Sequence, residues 1–593
     1  MRMRMRIIFQ IALCLFLFSN AYSLTPIVRN DVVPFQRIDY DDTFKFGAVA
    51  FSKEGIEKVD FVISGQGYSG GTKTATEMTL NDRTGVWEYW VPIHSSEFTS
   101  SGTITVTTTA TSSTSLDTKQ LDAVALNVSH ASSYVATEAW VDADDGDDGA
   151  GVVGDDTHPF KTISAAISAA ETVNGGSSDG NIINLEEGVY THGGSATTST
   201  EWLTYKAADR ATKENVILQS PPTNLLTVNL LKFDGITLKS NQAMTWVVAE
   251  SGRPDTLWIN NTAVIGAGLD VQLSSPVPWN QDNVYLTDVT FNNVYNVTAY
   301  TLLARDVTVI MVGNDSFFNS LFVVNCTILG NDNTGTGAHA DAYQVSAISG
   351  NDPPNNRIIY GLKAFNLHVQ GMFSTFEDPI NGVASNNAFV NCLFEMREPA
   401  APNESEEYVF TSWILGGGDG GTWDHLVMLN NTMPLGTSNF YANVTNSLVV
   451  GNVFWQLLDY LSHPWAAPGN SLGNIAENNH FMYVAGGDSC APTNKDIIDG
   501  WPCPRLQSIT IDSDSGGSMT TGGGMIIENR ISPYENDNVG IPTSGSVLLD
   551  RFITLVPVDI DNNERGVLSS VGAYENPLPT VVDSVIYSGV TIQ

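Results

Sequence analysis

The sequence predicts an all-β protein, a β-solenoid preceded by a small β-sandwich of immunoglobulin type. Three observations predict it. The first hundred or so mature residues alternate apolar and polar positions in short runs. The remainder carries a loose apolar–Asn repeat. Between them lies a block with one amphipathic helical stretch, of the kind that covers the open end of a stacked array.

At 593 residues the chain exceeds one ordinary core and fits two units, one of them a long repeat array. Hydrophobic residues make up 42 % and charged residues 15 %, enough apolar surface to bury a core. The net charge is -37, from 64 acidic and 27 basic residues, and no basic run follows the extreme start. Nucleic acid and anionic membrane surfaces are therefore excluded as partners, because binding either requires a Lys/Arg footprint.

Residues 1–23 read as a cleaved signal peptide, with Arg2, Arg4 and Arg6 before the apolar run Ile7 to Phe18 and a small-x-small site at Ala21-Tyr22-Ser23. No later stretch reaches the roughly 20 apolar residues needed to span a bilayer. The expectation is a secreted, monomeric protein with no membrane span.

Residues 24–133 form the sandwich. Its strands are read in Phe44 to Phe51, Val59 to Ile63, Trp87 to Val91 and Thr103 to Thr107, each with period-two alternation between turn residues. The solenoid is placed at 138–576, with 577–593 a C-terminal tail. Its cap begins at Trp140, continues through a helix with Ile163, Ala166, Ile167 and Ala170 on one side, and ends in the strand leading to Gly188-Val189-Tyr190. Asp142 to Asp156 contains seven aspartates. Without the terminal Glu of a calcium-binding EF-hand frame, this stretch reads as a solvated capping loop.

The repeat is an apolar residue followed by Asn or Asp. It recurs at Phe233-Asp234, Ile259-Asn260, Thr287-Asp288, Val324-Asn325, Phe365-Asn366, Val390-Asn391, Leu429-Asn430, Gly451-Asn452 and Glu477-Asn478, at spacings of about 22 to 28 residues or near 40. Asn tolerates the left-handed backbone that a tight bend between two sheets needs, and stacked amides can hydrogen-bond from coil to coil. Four cysteines remain after the leader. Cys490 and Cys503 flank a Pro/Asp/Asn-rich loop and are expected to form a local disulfide. Cys326 and Cys392, in look-alike segments, are expected to be buried thiols.

The Pro-Phe-Lys-Thr-Ile entry at 159–163, the Gly-Val-Tyr exit, the Asn repeats and the closing Pro557-Val558-Asp559-Ile560-Asp561 resemble the secreted right-handed parallel β-helix proteins related in fold to pectate lyases. The segment from Val33-Pro34-Phe35 to Trp87-Glu88-Tyr89-Trp90 is similar to the sandwich that precedes the helix in a bacterial branch of that group. The resemblance implies a right-handed helix acting on polysaccharide. The group holds lyases, hydrolases, epimerases and members of unknown activity, and this chain lacks both the Asp-Pro-His run of alginate epimerases and the Arg-x-x-Arg-x-Pro run of pectate lyases.

In a parallel β-helix, ligands meet the outward side chains. Alternation through 337–345 is read with His339, Asp341 and Tyr343 outward and Ala340 and Ala342 inward. One coil on, His368 and Gln370 are read outward, then Glu395 stacking near Gln370 with Arg397 beyond. The candidate catalytic residues are His339, Asp341, His368, Glu395 and Arg397, and the candidate substrate-binding residues are Tyr343, Gln344, Gln370 and Trp423. A uronate lyase or epimerase would use His368 or Arg397 as base, with Asp341 and Glu395 holding calcium as the cofactor. A hydrolase would use Asp341 and Glu395 as paired carboxyls. The third reading is a non-catalytic carbohydrate-binding or surface structural protein, in which His-x-Asp-x-x-Gln only orders a corner. Trp423, after the Gly416 to Gly421 run, is read as a sugar-stacking ring; Trp413, Trp455, Trp465 and Trp501 are further ring candidates.

Overall fold

The computed structural model describes residues 25–191, 196, 198–219, 230–239, 244–245, 256–266, 271–272, 283–294, 298–299, 301–312, 315–331, 341–347, 355–367, 370–376, 383–396, 411–415, 422–440, 443–457, 475–477, 480–484, 552–553, 556–565 and 568–569. Residues 1–24, which include the expected signal peptide, and Cys490 and Cys503 lie outside them. No helix among the described residues is long and apolar enough to cross a membrane.

The first unit is a pair of β-sheets around its own core. Ile27–Asn30, Thr43–Phe51, Val86–His94 and Thr79–Asn81 make one sheet; Arg37–Ile38, Val124–Val128, Gly102–Ser112, Ile56–Ser64 and Thr72–Ala75, with Thr118–Gln120 beside Gly102–Ser112, make the other. Alternation places Phe44, Phe46, Ala48 and Ala50 of one strand in the shared core, where Phe46 meets Phe61 edge-on at 5.6 Å. Val49 and Phe51 of the same strand belong to a different cluster, on the outer side of the sheet.

The cap follows the sequence reading. Glu138–Val141 pairs in parallel with Ile182–Leu185, and the helix Ile163–Val173 lies between them in the chain. Thr162 caps the helix by accepting from the Ala165 amide at 3.2 Å, and Ile163, Ala166, Ile167 and Ala170 are its buried face. Tyr190 closes the block, its hydroxyl donating to the carbonyls of Val141 and Glu186.

From there the chain forms a long run of parallel strand pairings, coil upon coil, compatible with a parallel β-helix. One inward column of the first face runs in register through Ala139, Ile183, Tyr205, Phe233, Ile259, Leu286, Ala304, Val323, Ile359, Phe389, Met428 and Val449. Every member is buried in one continuous core. A second face contributes Tyr190, Leu218, Leu238, Val264, Phe291, Val309, Ile328, Ala364 and Phe394 to the same core. The third face is carried in later coils by Phe317–Phe318, Asp341–Ala347, Gln370–Phe376 and Thr411–Leu415.

The corner between the first two faces explains the Asn/Asp repeat. It is occupied coil after coil by a left-handed residue: Gly235, Asn261, Asp288, Asp306, Asn325, Gly361, Asn391, Asn430 and Gly451, with φ between 46° and 71°. The repeat placed Asp288, Asn325, Asn391 and Asn430 correctly. It fell one residue early at Asp234 and Asn260 and one late at Asn452, missed Asp306, and took Asn366 for a corner where Gly361 turns the chain. Only residues without a β-branch can sit there, and glycine fills the bend as well as asparagine does.

The residue after each corner points inward, and there the amides do stack. Asn431 accepts from the Cys392 amide at 2.9 Å and donates to the Phe389 carbonyl and to Asn452 Oδ1, at 2.9 and 2.8 Å; Asn452 in turn donates to the Met428 carbonyl. Cys326 and Cys392 occupy the same inward position as free, buried thiols, as expected. Burial pushes both thiols up, Cys392 to about 12. Asn431→Ala is expected to cost about 2 kcal/mol in urea unfolding, because it strands a buried amide and a carbonyl, whereas Ala substitution of the exposed Asn292 should be near neutral.

The outer side of the first face is not free. Leu303, Phe322, Val324, Ile358, Tyr360, Val390, Val427 and Leu429 form one buried cluster with Ile27, Val33, Val49, Phe51 and Val86 of the sandwich. Phe51 meets Tyr360 edge-on at 5.8 Å. Polar contacts fix the register of this seam. Asn356, itself left-handed, accepts from the Val28 amide and donates to its carbonyl, both at 3.2 Å; Trp202 donates to the Pro34 carbonyl; Arg305 pairs with Asp31. Glu88 lies behind Gly47, where any Cβ would meet its carboxyl group at 2.2 Å. Burial, and then the Asp31 charge, raise Glu88 to about 8, although Asn81 and Thr84 donate to it.

Candidate functional site

Asp341 opens a strand of the third face, and its neighbour on the preceding coil is Asp315. Phe317 pairs with Tyr343, and the Ser316 amide donates to the Asp341 carbonyl at 2.9 Å, so the two aspartates stack. Asp315 is 7 % and Asp341 0 % exposed, and their carboxyl groups interact directly. Desolvation raises Asp315 to about 7, against the lowering effect of hydrogen bonds from Asp341; desolvation, and then the Asp315 carboxyl beside it, raise Asp341 well above the usual carboxylate range. Two stacked, desolvated carboxyls of this kind are expected to share a proton, which the pH dependence of stability tests.

This corrects the outward reading of Asp341 and Tyr343. Tyr343 falls in the inward column Phe317–Tyr343–Met372. It meets Phe389 edge-on at 6.0 Å and donates to the Ser320 carbonyl at 2.6 Å. Tyr343 thus faces inward, and Ala342 beside it is fully buried in the same core. Gln344, beside Phe318 on the outer side, is partly exposed.

Glu395 is fully buried, on the side of its strand opposite Phe394 and shared with Leu393, which packs against Ile560. It does not stack with Gln370. The strand Gln370–Phe376 pairs with Asp341 and Thr411 on the third face, whereas Leu393–Met396 pairs with Lys363–Leu367 on the second. Asp341 and Glu395 therefore lie on different faces and do not flank a common bond. Among the described residues no three His, Cys, Asp or Glu side chains gather as a metal site.

Trp423 is buried in the core 6.3 Å from Phe389, so its ring is core packing and not a sugar platform. The strands holding Trp413 and Trp455 are described, but their side chains, like that of Gln370, are not. His339, His368, Arg397, Trp465 and Trp501 lie outside the described residues. The aspartates of 142–156 serve the loop itself: Asp142 accepts from the amides of Asp144 and Asp145, Asp148 from those of Lys161 and Thr162, and Asp155 from Thr157.

Two features escaped sequence reasoning. Asp315 stands one coil before Asp341, a spacing that only a correct register reveals. The second is the open outer side of the second face. One row runs Thr237, Ala263, Thr290, Thr308, Thr327, Lys363; beside it runs Gln219, Lys239, Ile265, Asn292, Ile310, Leu329, Phe365. Apart from Thr237, these side chains are partly or fully exposed. As far as the rung of Lys363 and Phe365 neither row contains a carboxylate, in a chain of net charge -37, and each contains a lysine; the buried Glu395 follows on the next rung. No family model, no curated protein and no solved structure matches the chain.

Proposed function

We propose that the chain is an exported polysaccharide-binding protein, built as a right-handed parallel β-helix with an immunoglobulin-like sandwich, that takes an extended, uronate-containing or sulfated chain along the outer side of its second face. The right hand follows from the strong bias of parallel crossovers; export follows from the Arg-rich start and the apolar run behind it.

The observation that carries the reading is the pair of rows. Hydroxyls and an amide at Thr290, Thr308, Thr327 and Asn292 alternate with aliphatic positions at Ile265, Ile310 and Leu329. That mixture suits a sugar chain, whose rings carry both hydroxyls and C–H faces. Rungs recur about every 4.8 Å, so the disaccharide repeat of an extended polysaccharide spans roughly two of them. Lys239 and Lys363 supply the positive charge an acidic polymer needs. Turnover is not part of the proposal: Asp341 is committed to Asp315 and Glu395 is covered.

The test is titration of the protein with polygalacturonate, alginate, dextran sulfate and hydroxyethyl cellulose, while near-ultraviolet absorbance follows unsaturated uronate. At least one acidic polymer is expected to bind without an absorbance rise, and Thr308→Glu with Thr327→Glu should weaken it about tenfold or more. Wild-type affinity in that double variant would sink the proposal.

A further inference from the structure

The two rows do not run open to the end of the second face. At the rung of Lys363 and Phe365 the chain's own C-terminal region lies across them. Pro557 to Arg565 forms a tight hairpin: the Arg565 amide donates to the Pro557 carbonyl, and Asp559 accepts from the amides of Asp561 and Asn563 at 2.9 and 2.8 Å. Asn562 turns the tip with φ 63°. The base is bolted to the corner between the faces, where Asn391 donates to the Val558 carbonyl at 2.8 Å and Arg565 donates to the same carbonyl at 3.0 Å. Val556 joins the seam with the sandwich.

The tip reaches the second face. Asp561 pairs with Lys363, and Ile560 packs on Leu393 with Phe365 beside it. Lys363 stands in register with Thr327, and Phe365 with Leu329. The hairpin thus places a carboxylate on the row's cation and an aliphatic group next to its apolar position, the same two kinds of contact an acidic sugar would make. The base is buried, whereas Lys363 and Asp561 are 27 % and 37 % exposed. The ion pair is therefore open to exchange while the anchor holds.

We infer that Asp561 is a built-in competitor at Lys363, which a carboxylate- or sulfate-bearing polymer must displace to occupy the last rung of the rows. The inference rests on the binding face proposed above, and Lys363 becomes the residue that reads the polymer's charge.

Titrations with polygalacturonate and hydroxyethyl cellulose test it. Asp561→Ala is expected to tighten polygalacturonate binding about two- to fivefold, the range an exposed ion pair is worth, and to leave hydroxyethyl cellulose unchanged. Glu564→Ala removes an equal charge from the same hairpin and should leave both unchanged, and Lys363→Ala should abolish the gain from Asp561→Ala. Polygalacturonate should also speed amide exchange at residues 560–563 in the wild type. Equal affinity of wild type and Asp561→Ala for a polymer that binds overturns the competitor and leaves the binding face standing. Failure of both proteins to bind any acidic polymer overturns both.

Discussion

Asp341→Asn is expected to raise the thermal midpoint at pH 8, with the gain disappearing at pH 4. The folded protein holds Asp315 up to about 7 and Asp341 well above its ordinary value, whereas in the unfolded chain both ionise near 3.8. Below pH 4 both states carry neutral carboxyls and the pair costs little. As pH rises, the unfolded chain releases its protons first, so stability falls from about pH 4 through 7 and on through the titration of Asp341. The Asp315 shift alone, at 1.36 kcal/mol per unit, corresponds to roughly 4 kcal/mol. An amide in place of Asp341 donates to the Asp315 carboxylate and removes the opposing charge. Unfolding of the two proteins at pH 4 and pH 8 isolates this term, because repulsion among the other surface acids is common to both. An equal difference in midpoint at the two pH values would show that the pair does not share a proton.

Much of the architecture was legible because it depends on residue type at a fixed period. Phe44 to Phe51 alternates, Ile163 to Ala170 follows a helical period, and Asp288, Asn325, Asn391 and Asn430 mark bends that few residues can make. The sandwich's docking also left a sign. Phe322-Val323-Val324, Ile358-Ile359-Tyr360, Val427-Met428-Leu429 and Leu448-Val449-Val450 are unbroken apolar runs, which a strand covered on one side only would not carry. The site was harder to read. At Asp341 and Tyr343 the small alanines beside them favoured an outward reading, yet Ala342 and Tyr343 are both buried. The rows on the second face join residues such as Thr308, Thr327 and Lys363, whose spacing varies from coil to coil with the loops between them. No local pattern in the sequence announces such a surface.

The seam between the two units supplies the other large effect. Asp31 is fully buried, Arg305 nearly so, and Arg305 is the cation paired with the Asp31 carboxylate. Arg83 donates to the Asp31 backbone carbonyl at 2.7 Å and acts on its carboxylate through charge alone, with no hydrogen bond to it. Arg305→Ala therefore leaves a carboxylate in a seam of Phe51, Val324 and Tyr360, and is expected to cost about 3–5 kcal/mol, read as a lowered urea midpoint and faster amide exchange at residues 27–30. Removing both partners, with Asp31→Leu and Arg305→Met, should recover most of that loss, because an apolar pair needs no desolvation of charge. If the double variant instead stays as unstable as Arg305→Ala, the ion pair itself stabilises the seam. If it recovers, the pair's contribution is to registration: apolar contact between Val49, Phe51 and the first face holds the sandwich down, and the charges decide which coil it sits on.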